Sequence, residues 1–327
     1  MRNVKTHNEL RLLWGRDLGE PSSTTDYTLL ADLGHAYAAC SREGFPTLVV
    51  ELSDIPAFAA GRRAAGFELV PHRALQFAHA GRQWTAPAAV LLCKDPELVD
   101  AFTVLAADVH SRLLASRPSW ANIVSVVEEW QSLMAPRGRP SVEAEVGLWG
   151  ELWLLVSSAA PDRLLAGWRG PDRDASDFFL DGRAAEVKTS RHRRQHHVSL
   201  SQVLEPVGDK RAWLLSLWVG IDPIRGRTVP ALVDKILERV ADPALALRRL
   251  LTAGYSPADR NAYEGSFVVL AEPEWYRVTD VPRVRAADPE VSRLRYVVSL
   301  DEGRCVPASE AKELWNHFLG HDYGART

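Results

Sequence analysis

Four side chains near the middle of the chain are of the types that hold a hard cation: Asp177, Glu186, Lys188 and, upstream, Glu151. Glu186 and Lys188 flank Val187, so on an extended strand both point to one face and Val187 to the other, the core side. Two carboxylates beside an ammonium suit an oxygen-seeking divalent ion such as Mg²⁺, with Mn²⁺ as a substitute. A solvated strand edge also alternates such residues. Phe178 and Phe179 beside Asp177, the period-two pattern around Val187, and a lysine in a chain that otherwise favours arginine weigh against that reading.

A tight hairpin over 176–189 (SDFFLDGRAAEVKT) must position three of the four. Asp181-Gly182 is a type I′ turn dipeptide between two extended runs. With those two as the turn, Leu180 faces Arg183, Phe179 faces Ala184, Phe178 faces Ala185 and Asp177 faces Glu186. Like charges directly opposed repel, so something must hold the last pair together. Asp172, in a literal Pro171-Asp172 pair, and nearby Asp174 are rival acids in the loop ahead of the hairpin.

Glu151 belongs to a helix capped by Ser141, with Glu143 and Glu145 in its first turns where the dipole favours them. Leu148, Leu154 and Leu155 are its helical neighbours, and a charge among them needs a partner. Gly147, one turn earlier, would let that face approach a backbone or ligand closely. Glu151 either snorkels to solvent or helps hold the metal or its waters.

Past the hairpin, 191–197 (RHRRQHH) is the most basic stretch. It is either a solvated loop or a contact to nucleic-acid phosphates through Arg191, Arg193, Arg194, His196 and His197. Zinc at His192, His196 and His197 lacks matching partners elsewhere.

The whole chain bounds these readings. At 327 residues, 46% hydrophobic and 25% charged, it has the composition of a soluble globular protein of one large or two ordinary domains. A net charge of −3 excludes a globally basic nucleic-acid binder. There is no apolar run of about 18 residues and no secretory-type start, which fits a cytoplasmic protein without membrane contact. Cys40, Cys93 and Cys305 show no paired spacing. Strands are expected at 46–52, 66–77 and 86–93 and helices at 97–115 and 120–134, giving a mixed α/β domain over 1–140 without catalytic residues. Its tryptophans, Trp14, Trp84, Trp120 and Trp130, read as packing. The boundary is PRGRP at 136–140. Beyond the hairpin, 211–221 reads as a buried strand, 228–251 as a helix pair divided by Pro243, 267–270 and 296–300 as strands and 309–319 as a closing helix. His317 and His321 read as part of a frayed terminus.

The ordered set of Glu151 on a helix, Asp177 and Glu186-Val187-Lys188 on a hairpin, and a following buried strand resembles the PD-(D/E)XK nuclease superfamily. More narrowly, Gly147 to Leu152 (GLWGEL), Trp168 with Gly170-Pro171, Ser176-Asp177-Phe178, Glu186 to Thr189 (EVKT) and His197 to Gln202 (HVSLSQ) resemble a PD-(D/E)XK family of unknown function from bacterial restriction-like and phage-defence gene clusters. The resemblance implies an α/β (α+β) fold. Residues 141–327 would hold a restriction-endonuclease-like αβββαβ core, about 141–225, with a C-terminal extension from 226.

By the same resemblance Asp177 and Glu186 are metal ligands, Lys188 lies near the attacking water, Glu151 is an auxiliary acid and Gln202 a supporting residue. The Pro-Asp dipeptide is not adjacent to Asp177, so the first acid is Asp172 or Asp177. The expectation is an Mg²⁺-dependent deoxyribonuclease acting on DNA in restriction or phage defence, with a methyltransferase, ATPase or helicase as partner and a homodimer for double-strand cleavage. The alternative is a catalytically silent DNA-binding or scaffolding subunit, the N-terminal domain serving DNA or partner contact.

Overall fold

The computed structural model describes residues 7–15, 26–64, 66–79, 81–115, 118–134, 137–168, 176–199, 211–284, 294–300, 304–321 and 323. The chain is of α/β class and separates into two compact units, Met1–Arg137 with Ser256–Arg260, and Gly138–Tyr255 with Asn261–Thr327.

In the first unit, α1 (His7–Trp14) precedes a six-stranded antiparallel sheet of β1 (Tyr27–Asp32), β2 (Ala36–Ser41), β3 (Pro46–Glu51), β4 (Arg62–Ala64), β5 (Phe67–His79) and β6 (Arg82–Cys93). The spatial order is β1-β2-β3-β6-β5-β4. Then come α2 (Val99–Ala115) and α3 (Trp120–Leu133). The helix expected from residue 97 opens as a 3₁₀ turn, Pro96–Leu98, because Asp95 caps Glu97 and Pro96 suits the first turn. Ser119 accepts from the Asn122 N–H and starts α3. Trp14, Trp120 and Trp130 are buried, and Trp130 donates to Asp108 at 2.9 Å. Trp84 stacks on Phe77, ring centroids 5.0 Å apart.

The second unit runs α4 (Val142–Ser157), α5 (Pro161–Gly167), β7 (Phe178–Leu180), β8 (Arg183–Ser190), β9 (Gln195–Ser199), β10 (Arg211–Ile221), α6 (Val229–Arg239), α7 (Pro243–Thr252), β11 (Phe267–Val269), β12 (Glu274–Arg277), β13 (Arg295–Ser299) and α8 (Ala308–Leu319). β10 is its spine. It runs parallel to β8 from Arg211↔Arg183 to Trp218↔Ser190, and antiparallel to β11 and β12. Its two faces are covered as well, by Val198 and Val298 at Leu214 and by α4 at Leu217, which is why RAWLLSLWVGI is almost continuously apolar. β9 pairs with β13 in a separate two-stranded ribbon. Val198 and Val298 of that ribbon close over Leu214 and Tyr276.

Asp181 (φ 44°) and Gly182 (φ 81°) both have positive φ, as a type I′ turn demands, so Leu180, Phe179 and Phe178 face Arg183, Ala184 and Ala185. The pairing stops there. Phe178 is also bridged from its other side by Trp168. Asp177 is thus not a strand partner of Glu186, and from Glu186 onward no described strand lies on this edge of β8.

α4 lies against β8, starting where Ser141 accepts from the Ala144 N–H. Gly147 was expected to make the close approach, yet a side chain there would meet nothing within 4 Å. Gly150 makes it instead: a Cβ on Gly150 would lie 1.7 Å from Thr189 Oγ1 and 2.9 Å from Thr189 Cβ. One helical turn separates the two glycines, and the phase of the buried face decides between them. Among the described residues no helix is long and apolar enough to cross a membrane.

Candidate active site

The open edge of β8 forms one wall of a cleft of about 670 Å³ in the second unit. Alternation sends Glu186 and Lys188 to the sheet face that carries Leu214 and Ser216, their register partners on β10. Val187 and Thr189 point to the α4 face. Because β7 is so short, side chains of both faces reach round the edge into one space. Glu151 from α4, Asp177 from the segment before β7, and Glu186 and Lys188 from β8 all line it.

Each carboxylate is held. Glu186, 4% exposed in its side chain, accepts from Lys188 Nζ at 2.8 Å through Oε1. Asp177 Oδ2 accepts from the Val187 N–H at 2.7 Å, filling a place on the ladder that a longer β7 would have taken. Glu151 Oε2 accepts from the indole N–H of Trp168 at 2.7 Å. Trp168, 1% exposed, stacks on Phe178, and its carbonyl accepts from the Arg249 guanidinium. The partner that Glu151 needs among its leucines is therefore this indole. Trp168 was visible in the sequence but carried no sign of that role.

Burial is the first cause that pushes the Asp177 carboxyl well above the ordinary range, and Glu186 and Glu151 push it the same way. Lys188 and the Val187 N–H oppose them. Glu151 is raised to about 7, again first by burial and then by Glu186, against the Trp168 hydrogen bond and Lys188. Three carboxyls close enough to perturb one another beside a single ammonium resist ionising together, and a divalent cation would favour their charged forms. The donors are oxygens, as Mg²⁺ or Mn²⁺ requires, so the residues fit such an ion in chemistry and charge. As the side chains stand, no group of three or more His, Cys, Asp or Glu among the described residues converges on one metal position.

The basic stretch divides. Arg191, His192, His196 and His197 line the cleft. Arg193 lies over the Trp218 ring, 5.6 Å from guanidinium carbon to centroid. Two of the five expected phosphate contacts are tied up inside the protein, Arg194 by an ion pair and His196 by burial at the cleft wall. The Arg194 guanidinium pairs with Glu274, Nε to Oε2 2.7 Å, and Tyr276 donates to the same carboxylate at 2.5 Å. His196, 2% exposed, has Nε2 2.7 Å from Ser216 Oγ, and burial depresses it to about 4. The reason is β9: residues 195–199 form a strand, not a loop, and alternation turns His196 and Val198 inward and His197 outward. Asp172, Asp174 and Gln202 lie outside the described residues. His317 and His321 each bond a main-chain carbonyl, Leu180 at 2.9 Å and Ser157 at 3.0 Å, and Cys40 and Cys93 are buried free thiols.

The family model described as "Putative PD-(D/E)XK family member, (DUF4420)" matches residues 33–301. No curated protein and no solved structure matches the chain.

Proposed function

Since the chain belongs to the DUF4420 family, of PD-(D/E)XK description, we propose that its second unit is a metal-dependent endonuclease that hydrolyses DNA phosphodiester bonds in the cleft along β8. The observation that carries this is the meeting of Asp177, Glu186, Glu151 and Lys188 round one open strand edge. Asp177 and Glu186 would hold the ion, with Glu151 as a third acid. Mg²⁺, when bound, supplies Lewis-acid polarisation and a more acidic water. Lys188, fixed by Glu186, presents an ammonium where negative charge builds on the phosphoryl oxygens as water adds and the P–O bond breaks. Arg191 and His197, on the cleft wall, would contact the flanking phosphates and make binding salt-dependent.

A restriction or phage-defence setting, with a methyltransferase, ATPase or helicase as partner and the first unit contacting DNA or that partner, fits the gene-cluster resemblance. Double-strand cleavage would use a homodimer.

One observation favours a second reading, a catalytically silent DNA-binding or scaffolding subunit. All three carboxylates already have an internal donor: Lys188 on Glu186, Val187 N–H on Asp177 and Trp168 on Glu151. The deciding experiment is cleavage of supercoiled and linear DNA with Mg²⁺, Mn²⁺ or EDTA, comparing wild type with Glu186→Ala and Lys188→Ala. Metal-dependent cutting lost in both variants is expected. No cutting by wild type under any condition, with salt-sensitive binding that survives both substitutions, sinks the nuclease reading in favour of the silent subunit.

A further inference from the structure

A half-buried tryptophan stands beside the cleft, on the strand next to β8. Trp218 lies near the C-terminal end of β10, half-buried where the run Trp213–Leu217 is buried and Ile221 beyond it is exposed. Its register partner is Ser190, on the same sheet face as Glu186 and Lys188. Ser190 and Arg191 line the cleft, and the Trp218 indole N–H donates to the Arg191 carbonyl at 3.3 Å, so the ring is tied to the rim itself. Above it lies the Arg193 guanidinium. From Lys188 the Trp218 backbone is two residues along and one strand across, roughly 8 Å at the usual rise and spacing of strands. That is close to the span of one nucleotide.

An aromatic face with an arginine over it, at the edge of a cleft that also carries Arg191 and His197, combines the two elements that hold single-stranded nucleic acid: a stacking surface for a base and cations for the backbone. Of the other tryptophans of this unit, Trp149 and Trp275 are fully buried and the half-buried Trp153 rests on Tyr323.

We propose that Trp218 and Arg193 form a stacking platform for an unpaired nucleobase of the strand whose phosphate lies at Lys188. The base takes the guanidinium's place on the ring, and the guanidinium shifts to that strand's phosphate. Trp218 is thereby a substrate-binding residue that selects strands with a base free to leave its stack. This rests on the nuclease reading only in that the strand must be nucleic acid; binding can be measured without cleavage.

The test uses the full chain carrying Lys188→Ala, to prevent cutting, and a fluorescein-labelled single-stranded oligodeoxynucleotide read by anisotropy. Trp218→Ala is expected to weaken binding about tenfold, within the range for base–aromatic stacking, and Trp218→Tyr to stay within about threefold of the parent. A set of oligonucleotides with one abasic residue moved along the strand asks the same question without touching the platform. One position should weaken binding as much as Trp218→Ala does, and Trp218→Ala should be indifferent to that same lesion. If Trp218→Ala binds as tightly as the parent, or if no abasic position matters, the platform is wrong even though Arg191→Ala still weakens binding. If the parent binds no oligonucleotide at all, the nucleic-acid reading falls and the platform with it.

Discussion

Gly150 gives the sharpest test of how Glu151 is placed. Alanine is worth about 1 kcal/mol more than glycine in a helix interior. At Gly147, where nothing lies within 4 Å, that gain is realised and Gly147→Ala should stabilise the second unit by about 0.5–1 kcal/mol. At Gly150 the same Cβ would sit 1.7 Å from Thr189 Oγ1, 2.9 Å from Thr189 Cβ and 3.2 Å from Leu217 Cδ1. Rotating the threonine clears its hydroxyl but not its Cβ, so α4 must lift from β8. Overpacking of this kind costs about 1–3 kcal/mol, which outweighs the propensity gain. Gly150→Ala should therefore be destabilised by about 1–2 kcal/mol, opposite in sign to its neighbour one turn away. Adding Thr189→Ala, which removes the hydroxyl and methyl, should recover part of the loss. Urea denaturation followed by circular dichroism reads all four proteins. Should Gly150→Ala prove as stable as Gly147→Ala, α4 does not rest on β8 at this point, and the placement of Glu151 round the edge from Glu186 falls with it.

Asp177→Asn keeps an oxygen for the Val187 N–H and removes a charge that Glu186 and Glu151 resist, so stability should hold or rise at neutral pH while cleavage is lost. Asp177→Ala orphans that N–H and should cost about 1–2 kcal/mol by the same denaturation measurement. For His196, held at about 4 against an ordinary 6.5, the unfolded chain takes up a proton first as pH falls. Its contribution is complete above about pH 6.5 and is lost progressively down to about pH 4, up to roughly 3 kcal/mol; His196→Gln should flatten that part of the curve of urea midpoint against pH. Trp168→Phe leaves the Glu151 carboxylate without its indole donor and should cost about 1–3 kcal/mol, with infrared spectroscopy of the carboxyl showing more protonated acid at neutral pH. An unchanged carboxyl band would mean the indole does not stabilise the charge.

What could be read from the sequence was what local chemistry decides. Asp181-Gly182 fixed the turn and with it three register pairs; Ser119 and Ser141 fixed helix starts; the nearly continuous apolar run of β10 marked the strand buried on both sides. Illegible features were those that distant residues impose. β7 reaches no further back than Phe178, where Trp168, ten residues earlier, bridges to it. Arg194 turns inward because Glu274, eighty positions on, waits for it. His196 is buried because β9 pairs with β13, whose Val298 faces it from about a hundred residues later. Gly147 and Gly150 look alike in sequence, and only the packing phase of α4 tells them apart. Asp177 and Glu186 do share a cleft, but by a hydrogen bond to the backbone rather than by the strand pairing that suggested it.

The bond from Val187 N–H to Asp177 has a consequence outside chemistry. A half-covered strand offers its unpaired amides to any extended segment that drifts by, including the same strand of another copy. By placing a side-chain oxygen on that amide, the chain denies a newcomer its first hydrogen bond. The residue that ends the hairpin early is in this sense also a stopper, keeping an exposed edge available to a polyanion yet closed to sheet extension, and its loss should show as self-association before it shows as unfolding.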